Sequence, residues 1–314
     1  MADESWPMDD EMGPALVRLW NEVIEDANPI YWDEPFARRS RHGGIIAPPA
    51  MLMPLTTRPE WTPQGGARSS TKDALANDLP DLPLAAILRM EQTYRRAIRM
   101  GERPTIEFRQ EPAGPEIDTE RGRGRIVRRV FTFRDTSGEE IAELVLDQLR
   151  YRDRAQAPQP APIEWSGPAA RPLGRHETRR SGDVVVGELI EPFTLDITLK
   201  RCITWVAATR DFYEVHHDPA YAKASGDPDL FIGVHLGHAV VGRIATDWGG
   251  PECQLRRMDF RAIGRVYLHD ALTTRGRVAR LHETGGEHCV DLEVETATSL
   301  GVTHTATVTV ALPD

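Results

Sequence analysis

The chain is short of cysteine, of positive charge and of long apolar runs, and each shortage removes a class of function. Its 314 residues hold three cysteines, Cys202, Cys253 and Cys289, far apart and with no CxxC pair. That excludes a disulfide framework and a zinc ribbon, and it makes a reducing cytoplasm the expected compartment. The formal net charge is −10, so nucleic acid is not an expected partner, because backbone phosphates call for a basic surface. An anionic ligand would have to be held by local arginines. No stretch of about 18 apolar residues occurs, so no membrane insertion is expected. The acidic start, Met-Ala-Asp-Glu-Ser, has no apolar segment of the kind found in a signal peptide. With 40% hydrophobic and 27% charged residues, the composition is that of a globular protein large enough for two domains.

Against that background the chain carries one short motif twice. Asp26-Ala27-Asn28-Pro29-Ile30-Tyr31 in the first half answers to Asp211-Phe212-Tyr213-Glu214-Val215-His216 in the second. The offset, Asp211 against Asp26, is 185 positions, and it continues without a gap through Asp33 and Asp218, Ala37 and Ala222, and Ser40 and Ser225. Repetition on this scale suggests a duplicated domain. A His in one copy where the other has a Tyr suggests that only the second copy keeps a proton-transfer site.

The surrounding pattern supports two similar units. Apolar spacing predicts a helix over 13–24. Residues 45–55 are apolar, but Pro48, Pro49 and Pro54 make any helix there short or broken. Residues 62–83, which include Trp61's neighbours and are rich in Pro, Gly, Ser and Asp, read as a loop. Strands are expected between 84 and 151, with turns at Gly101-Glu102 and Thr136-Ser137-Gly138. In the second half, strands are expected at 189–197 and 203–207, a helix at 230–244, and long strands at 253–262, 271–283, 288–298 and 302–312. The expected division is an N-terminal unit over 1–152, a proline-rich linker over 153–183 and a C-terminal unit over 184–314, each of α+β class.

An Asp five residues before a His, with an Ala six residues further on, resembles the signature of the MaoC-like (R)-specific enoyl-CoA hydratases. The second half supplies Asp211, Val215, His216 and Ala222; the first supplies Asp26, Asn28, Pro29, Ile30 and Ala37, with Tyr31 in the place of the His. The wording HHDPAYAKASGDPDLF followed by TDWGG is similar to a branch that hydrates steroid side-chain enoyl-CoA thioesters. The resemblance implies a double hotdog fold, two helix-wrapped antiparallel sheets joined in one chain, with a degenerate first half. It implies Asp211 and His216 as the catalytic pair and the backbone N–H groups of Gly233, Val234 and His235 as receivers of the thioester oxygen. Coenzyme A enters as part of the substrate, with no other cofactor and no metal. Two arginine runs could meet its phosphates, and Arg38, Arg41, Arg256, Arg257 and Arg261 are the candidates. A homodimer is the expected assembly. An acyl-CoA thioesterase and a non-catalytic acyl-CoA-binding subunit are the rival functions.

The residues also allow blander roles. Asp26 and Asn28 suit turn formation through their own backbone. His216, His217, Asp218, His235 and His238 contain metal-ligating types but no fixed ligand set. Gly122-Arg123-Gly124 reads as a turn.

Overall fold

A computed structural model describes residues 4–58, 63, 79–119, 121–152 and 175–314. The first half contributes the strands β1 (Glu4–Pro7), β2 (Leu84–Tyr94), β3 (Thr105–Gln110), β4 (Glu116–Thr119), β5 (Gly122–Arg134) and β6 (Glu140–Tyr151). The second contributes β7 (Leu189–Asp196), β8 (Phe231–Ile232), β9 (Gln254–Ala262), β10 (Val266–Tyr267), β11 (Ala271–Thr284), β12 (Glu287–Thr298) and β13 (Gly301–Leu312). One antiparallel sheet runs β1-β3-β5-β6-β2-β9-β13-β12-β11-β7, with β4 attached to β5 and with β8 and β10 forming a separate ribbon. The order on one side of the β2–β9 join mirrors the order on the other. At the join Met90 faces Phe260 and Gln92 faces Met258. The halves therefore share a continuous sheet, as two sheets placed edge to edge would.

The 185-residue offset holds in the helices as well. The helix Pro14–Ile24 answers to Leu199–Thr209, the 3-10 turn Pro29–Tyr31 to Glu214–His216, and the short helix Glu34–Arg39 to Pro219–Ala224. Glu25 and Arg210, each closing the first helix of its half, both have φ of 56°. Asp33 and Asp218 both cap the short helix that follows. Trp20 and Trp205 are themselves related by the offset, and their rings meet at 4.6 Å between centroids. Equivalent residues that touch each other mark an approximate two-fold axis, as in an isologous dimer interface.

The segment 203–207, expected as a strand from its β-branched residues, is helical. Thr198 caps the helix by accepting from the Arg201 N–H at 3.1 Å. Cys202, Trp205, Val206, Ala208 and Thr209 form its buried face, while Leu199 and Ile203 are exposed. That is helical spacing, and packing against the first half's helix outweighs the weak β preference of Ile203 and Val206.

The two central helices differ most. In the second half, Val234–Gly249 is a 16-residue helix buried at every residue after Val234. It starts four residues later than expected, because Phe231 and Ile232 pair with β10, and it runs on through Thr246-Asp247-Trp248-Gly249. In the first half the matching positions give a 3-10 turn, Pro49–Met51, and a four-residue helix, Leu52–Leu55, as the prolines predict. Most of 62–83, Trp61, and 153–174 of the expected linker lie outside the described residues. The end of that linker is packed onto the second half. The Arg179 N–H donates to the Gly249 carbonyl at 2.9 Å, and the Arg179 guanidinium covers the Trp248 ring at 5.0 Å.

Candidate active site

The second half's motif is delivered by a helix end, a tight turn and a helix start. Leu199–Thr209 ends at Arg210 in the left-handed region, which reverses the chain and presents Asp211. The next turn swings His216 inward until it is 7% exposed. Its ring stands edge-on to Phe231 at 5.0 Å, and its Nδ1 lies 2.7 Å from the Phe231 carbonyl oxygen. A carbonyl can only accept, so Nδ1 carries a proton and Nε2 is the atom turned to the site. Nε2 lies 3.4 Å from Asp211 Oδ2. Phe231 is held in turn by Arg265, whose guanidinium covers its ring at 4.7 Å and pairs with the buried Asp227.

The long helix begins at the same place. A Cβ on Gly233 would lie 2.9 Å from Asp211 Oδ2 and 3.5 Å from His216 Nε2, so the missing side chain is what lets the helix start approach the pair. The first N–H groups of a helix have no intrahelical acceptor and carry partial positive charge. The N–H groups of Gly233, Val234 and His235, at this helix start, are therefore open to an incoming acceptor. The His235 ring adds a feature the sequence reading did not assign: its Nδ1 lies 3.6 Å from Asp211 Oδ2. Burial lowers its basicity, with Asp211 acting in the opposite sense. One turn on, His238 packs edge-on against Phe260 at 5.4 Å, and His304 stacks on Phe260 at 4.9 Å. Burial pushes His238 and His304 each down to about 3. The remaining residues of the suspected histidine cluster are drawn elsewhere. His217 Nε2 lies 3.0 Å from the Phe212 carbonyl, and Asp218 caps the helix Pro219–Ala224.

The arginine candidates are spread out. Arg38 is exposed and pairs with Glu34 at 2.8 Å. Arg41 is exposed, and its backbone N–H donates to Glu252 at 2.7 Å. Arg256 pairs with Glu287 and donates to the Arg95 carbonyl. Arg257 pairs with Glu91 at 2.8 Å and with Asp259 at 3.1 Å. In β9 the side chains alternate, and Met258 and Phe260 are buried. Arg257 and the exposed Arg261 therefore project from the opposite face of the sheet.

In the first half, Asp26 and Asn28 are turn formers: the Asn28 N–H donates to Asp26 Oδ1 at 2.9 Å and the Ile30 N–H to Asn28 Oδ1 at 3.1 Å. Asp26 is 3% exposed. Burial, with Asp247 nearby, raises its carboxyl to about 7, against the pull of the Asn28 N–H and Arg243. Arg243 pairs with Asp247 at 3.1 Å in the same buried pocket. Pro48 and Ala50 stand where the other half has Gly233 and His235.

A cavity of about 40 Å³, partly open to solvent, lies against the broken helix, with Cys253 and Leu255 of the second half also in its walls. Ile46, Pro48, Met51, Leu52, Tyr94 and Ile98 are among its walls, and Asp211 and His216 are not. A smaller one of about 10 Å³ shares Pro48 and Pro49 with it and is also lined by Ala239, Gly242 and Thr246 of the long helix. With His235, these three residues lie on one helical face. None of the described helices is long and apolar enough to cross a membrane.

Comparison with known proteins bears on the family and the fold. Residues 3–144 match the family described as FAS1-like, dehydratase domain region. The chain is 30% identical over 130 residues to the 3-oxo-4,17-pregnadiene-20-carboxyl-CoA hydratase beta subunit of Mycobacterium tuberculosis, covering 41% of this chain and 98% of that one. A solved MaoC-like dehydratase superposes with a TM-score of 0.73 at 15% identity, covering 99% of this chain and 98% of its own. A conserved Mycobacterium tuberculosis protein described as having a double hotdog fold gives a TM-score of 0.63 at 11% identity over 99% of this chain and 95% of its own. The chain is a double hotdog protein and belongs to the MaoC-like hydratase and dehydratase family.

Proposed function

We propose that this protein is an enoyl-CoA hydratase that adds water across a trans-2-enoyl-CoA to give the (R)-3-hydroxyacyl-CoA, reversibly, at one site in its second half. The observation that carries the reading is the Asp211 carboxylate set 3.4 Å from a buried, tautomer-fixed His216, at the start of a buried helix. A water bridging Asp211 Oδ2 and His216 Nε2 can give up a proton as its oxygen attacks C3. The negative charge that develops on the thioester oxygen is received by N–H groups among Gly233, Val234 and His235, where the helix start favours it. The proton then returns to C2 from the pair. This chemistry calls on no metal or redox group, and coenzyme A is the substrate's handle. Among the candidates for its phosphates, Arg41 and Arg261 are exposed, Arg38 is exposed in a surface pair with Glu34, and Arg256 and Arg257 are engaged in less exposed ion pairs.

The acyl group we propose is bulky and ring-bearing, such as a steroid side-chain thioester. Two observations support this. The broken first-half helix borders a mostly apolar cavity that is open to solvent, and the smaller cavity beside it is lined by Ala239, Gly242 and Thr246 of the long helix. The mycobacterial relative is named for such a substrate, and as a beta subunit. In this chain the two halves supply both units of a pair, and a homodimer of the whole chain is part of the same proposal, as is a cytoplasmic location.

The test is incubation with enoyl-CoA thioesters from four carbons to a steroid side chain, following loss of the conjugated thioester, free thiol, and product configuration. Hydration to the (R) product with efficiency rising with acyl size is expected. Thiol release without hydration would assign a thioesterase. Binding without turnover of any substrate would assign a non-catalytic subunit, and a clear preference for the four-carbon substrate would remove the bulky-acyl reading.

A further inference from the structure

We infer that the His235 side chain is a positioning residue for Asp211, supplying the hydrogen-bond donor that holds its carboxylate in line with His216. The inference deepens the hydratase reading and concerns the ring of His235, separately from its backbone N–H.

The argument begins with what Asp211 lacks. Among the described residues no donor lies within hydrogen-bonding distance of its carboxylate. The His216 ring is 3.4 Å away, but its Nδ1 proton is committed to the Phe231 carbonyl. In the neutral ring, Nε2 therefore turns a lone pair toward Oδ2. Two acceptors facing each other repel, so His216 alone cannot fix a charged Asp211 in the neutral state that accepting a proton from water requires.

His235 is placed to do so. It is 7% exposed, and among the described residues neither of its ring nitrogens has a hydrogen-bond partner. A buried imidazole with both nitrogens unpartnered is costly unless something at the site completes it. Its Nδ1 is 3.6 Å from the same Oδ2 that faces His216. In catalytic sites without substrate such contacts are commonly long and tighten on binding. The ring also stays neutral, because burial disfavours its cation. A neutral ring with its proton on Nδ1 donates to the carboxylate without taking the charge Asp211 needs.

The ionisable groups around this arrangement are few. Asp211 is faced by His216 from the 3-10 turn and by His235 from the long helix. His235 is faced by Asp211 and His216 and, one turn on, by His238, which burial keeps neutral. The counterpart of His235 in the first half is Ala50, and there Asp26 leans on its own Asn28 N–H.

The test uses the whole protein with His235→Leu and His235→Asn. An Asn amide can place an N–H close to where Nδ1 stands; Leu fills similar space without a donor. His235→Leu is expected to lower kcat by about tenfold with KM little changed, and to raise the acid limb of the kcat profile by about one pH unit, since a carboxylate that loses a donor is easier to protonate. His235→Asn is expected to recover most of both changes. A direct carbon-13 titration of the Asp211 carboxyl, identified by its loss in Asp211→Asn, should show the same rise in His235→Leu without any substrate. That arm separates the two claims: a protein that hydrates no enoyl-CoA yet shows the carboxyl shift overturns the function and keeps the positioning role. An unchanged carboxyl titration in His235→Leu, or equal losses in the Leu and Asn variants, would overturn the inference. Should the Leu variant fail to fold, the Asn variant alone decides, because a packing role predicts losses that Asn does not mend.

Discussion

Asp26 and Asp211 stand at equivalent points of two superimposable turns, and they meet opposite surroundings. Both follow a helix that closes in the left-handed region at φ 56°, and both precede a 3-10 turn and a capped short helix. Asp211 has His216 and His235 beside it and a glycine at the helix start that leaves space. Asp26 has Tyr31, Pro48 and Ala50 at the matching places and is sealed in beside Arg243 and Asp247. The backbone of a site can thus persist after its chemistry is lost, because helix caps and turns are set by local residues while reactivity is set by what packs on top. The first half's central helix is broken as well, with Pro48 standing where the second half has Gly233, and a cavity lies against it.

The comparison breaks most plainly on activity. Asp211→Asn and His216→Ala should each reduce kcat on an enoyl-CoA by about a hundredfold or more, the scale for a positioned acid or base. Asp26→Asn should stay within about threefold, since a Tyr cannot exchange protons near neutral pH as a His does. Steady-state rates on purified variants decide it, and equal losses from both halves would end the one-site account.

Stability should show the symmetry that activity lacks. Trp20 and Trp205 are buried against each other at the two-fold axis. Truncating a buried Trp to Ala typically costs about 3–5 kcal/mol. Denaturant unfolding of Trp20→Ala and Trp205→Ala should give similar losses, and the double variant should lose less than their sum because the two rings are each other's partners. Strictly additive losses would show that the rings do not support each other.

A milder effect separates the two helix starts. Gly233→Ala would put a methyl 2.9 Å from Asp211 Oδ2, and kcat should fall by about tenfold as the carboxylate is displaced. Pro48→Ala, at the equivalent place, should leave kcat within about twofold. A Gly233→Ala variant with normal turnover would show that the helix start can yield.

Much of this was legible in the sequence because it is written in local terms. The ungapped offset from Asp26–Ser40 to Asp211–Ser225 records caps and turns, and it predicted the duplicated turns correctly. The three prolines between 48 and 54 announced the broken helix, and alternation with glycine turns marked the long strands. What was missed depends on partners distant in sequence. The strand expected at 203–207 is a helix because Trp205 meets Trp20, a contact that periodicity in so short a window does not reveal. The role of the His235 ring depends on its nearness to Asp211, and that of Arg243 and Asp247 on Asp26, more than 200 residues away. The offset itself held a clue: reading Ala50 against His235 and Pro48 against Gly233 marks where one copy differs in chemistry as well as in shape.

The smallest expected effect concerns the sealed carboxyl. Asp26 is raised to about 7, first by burial and then by Asp247, while the Asn28 N–H and the Arg243 cation hold it down. In the unfolded chain an Asp titrates near 3.9. Between roughly pH 4 and 7 the folded protein therefore keeps a proton that the unfolded chain has released. Stability falls as pH rises through that window and levels off above it. An Asn at position 26 can still accept the Asn28 N–H and carries no charge to bury, so Asp26→Asn removes this slope. Measured against wild type, its unfolding free energy should grow larger from pH 5 to pH 8, by about 1 kcal/mol. The gain stays below what the full shift implies because Asp247, itself raised by burial, shares the Arg243 cation and takes up part of the proton. A pH-independent difference for Asp26→Asn would mean that the first half's carboxyl is not sealed and that the two sites differ less than their surroundings imply.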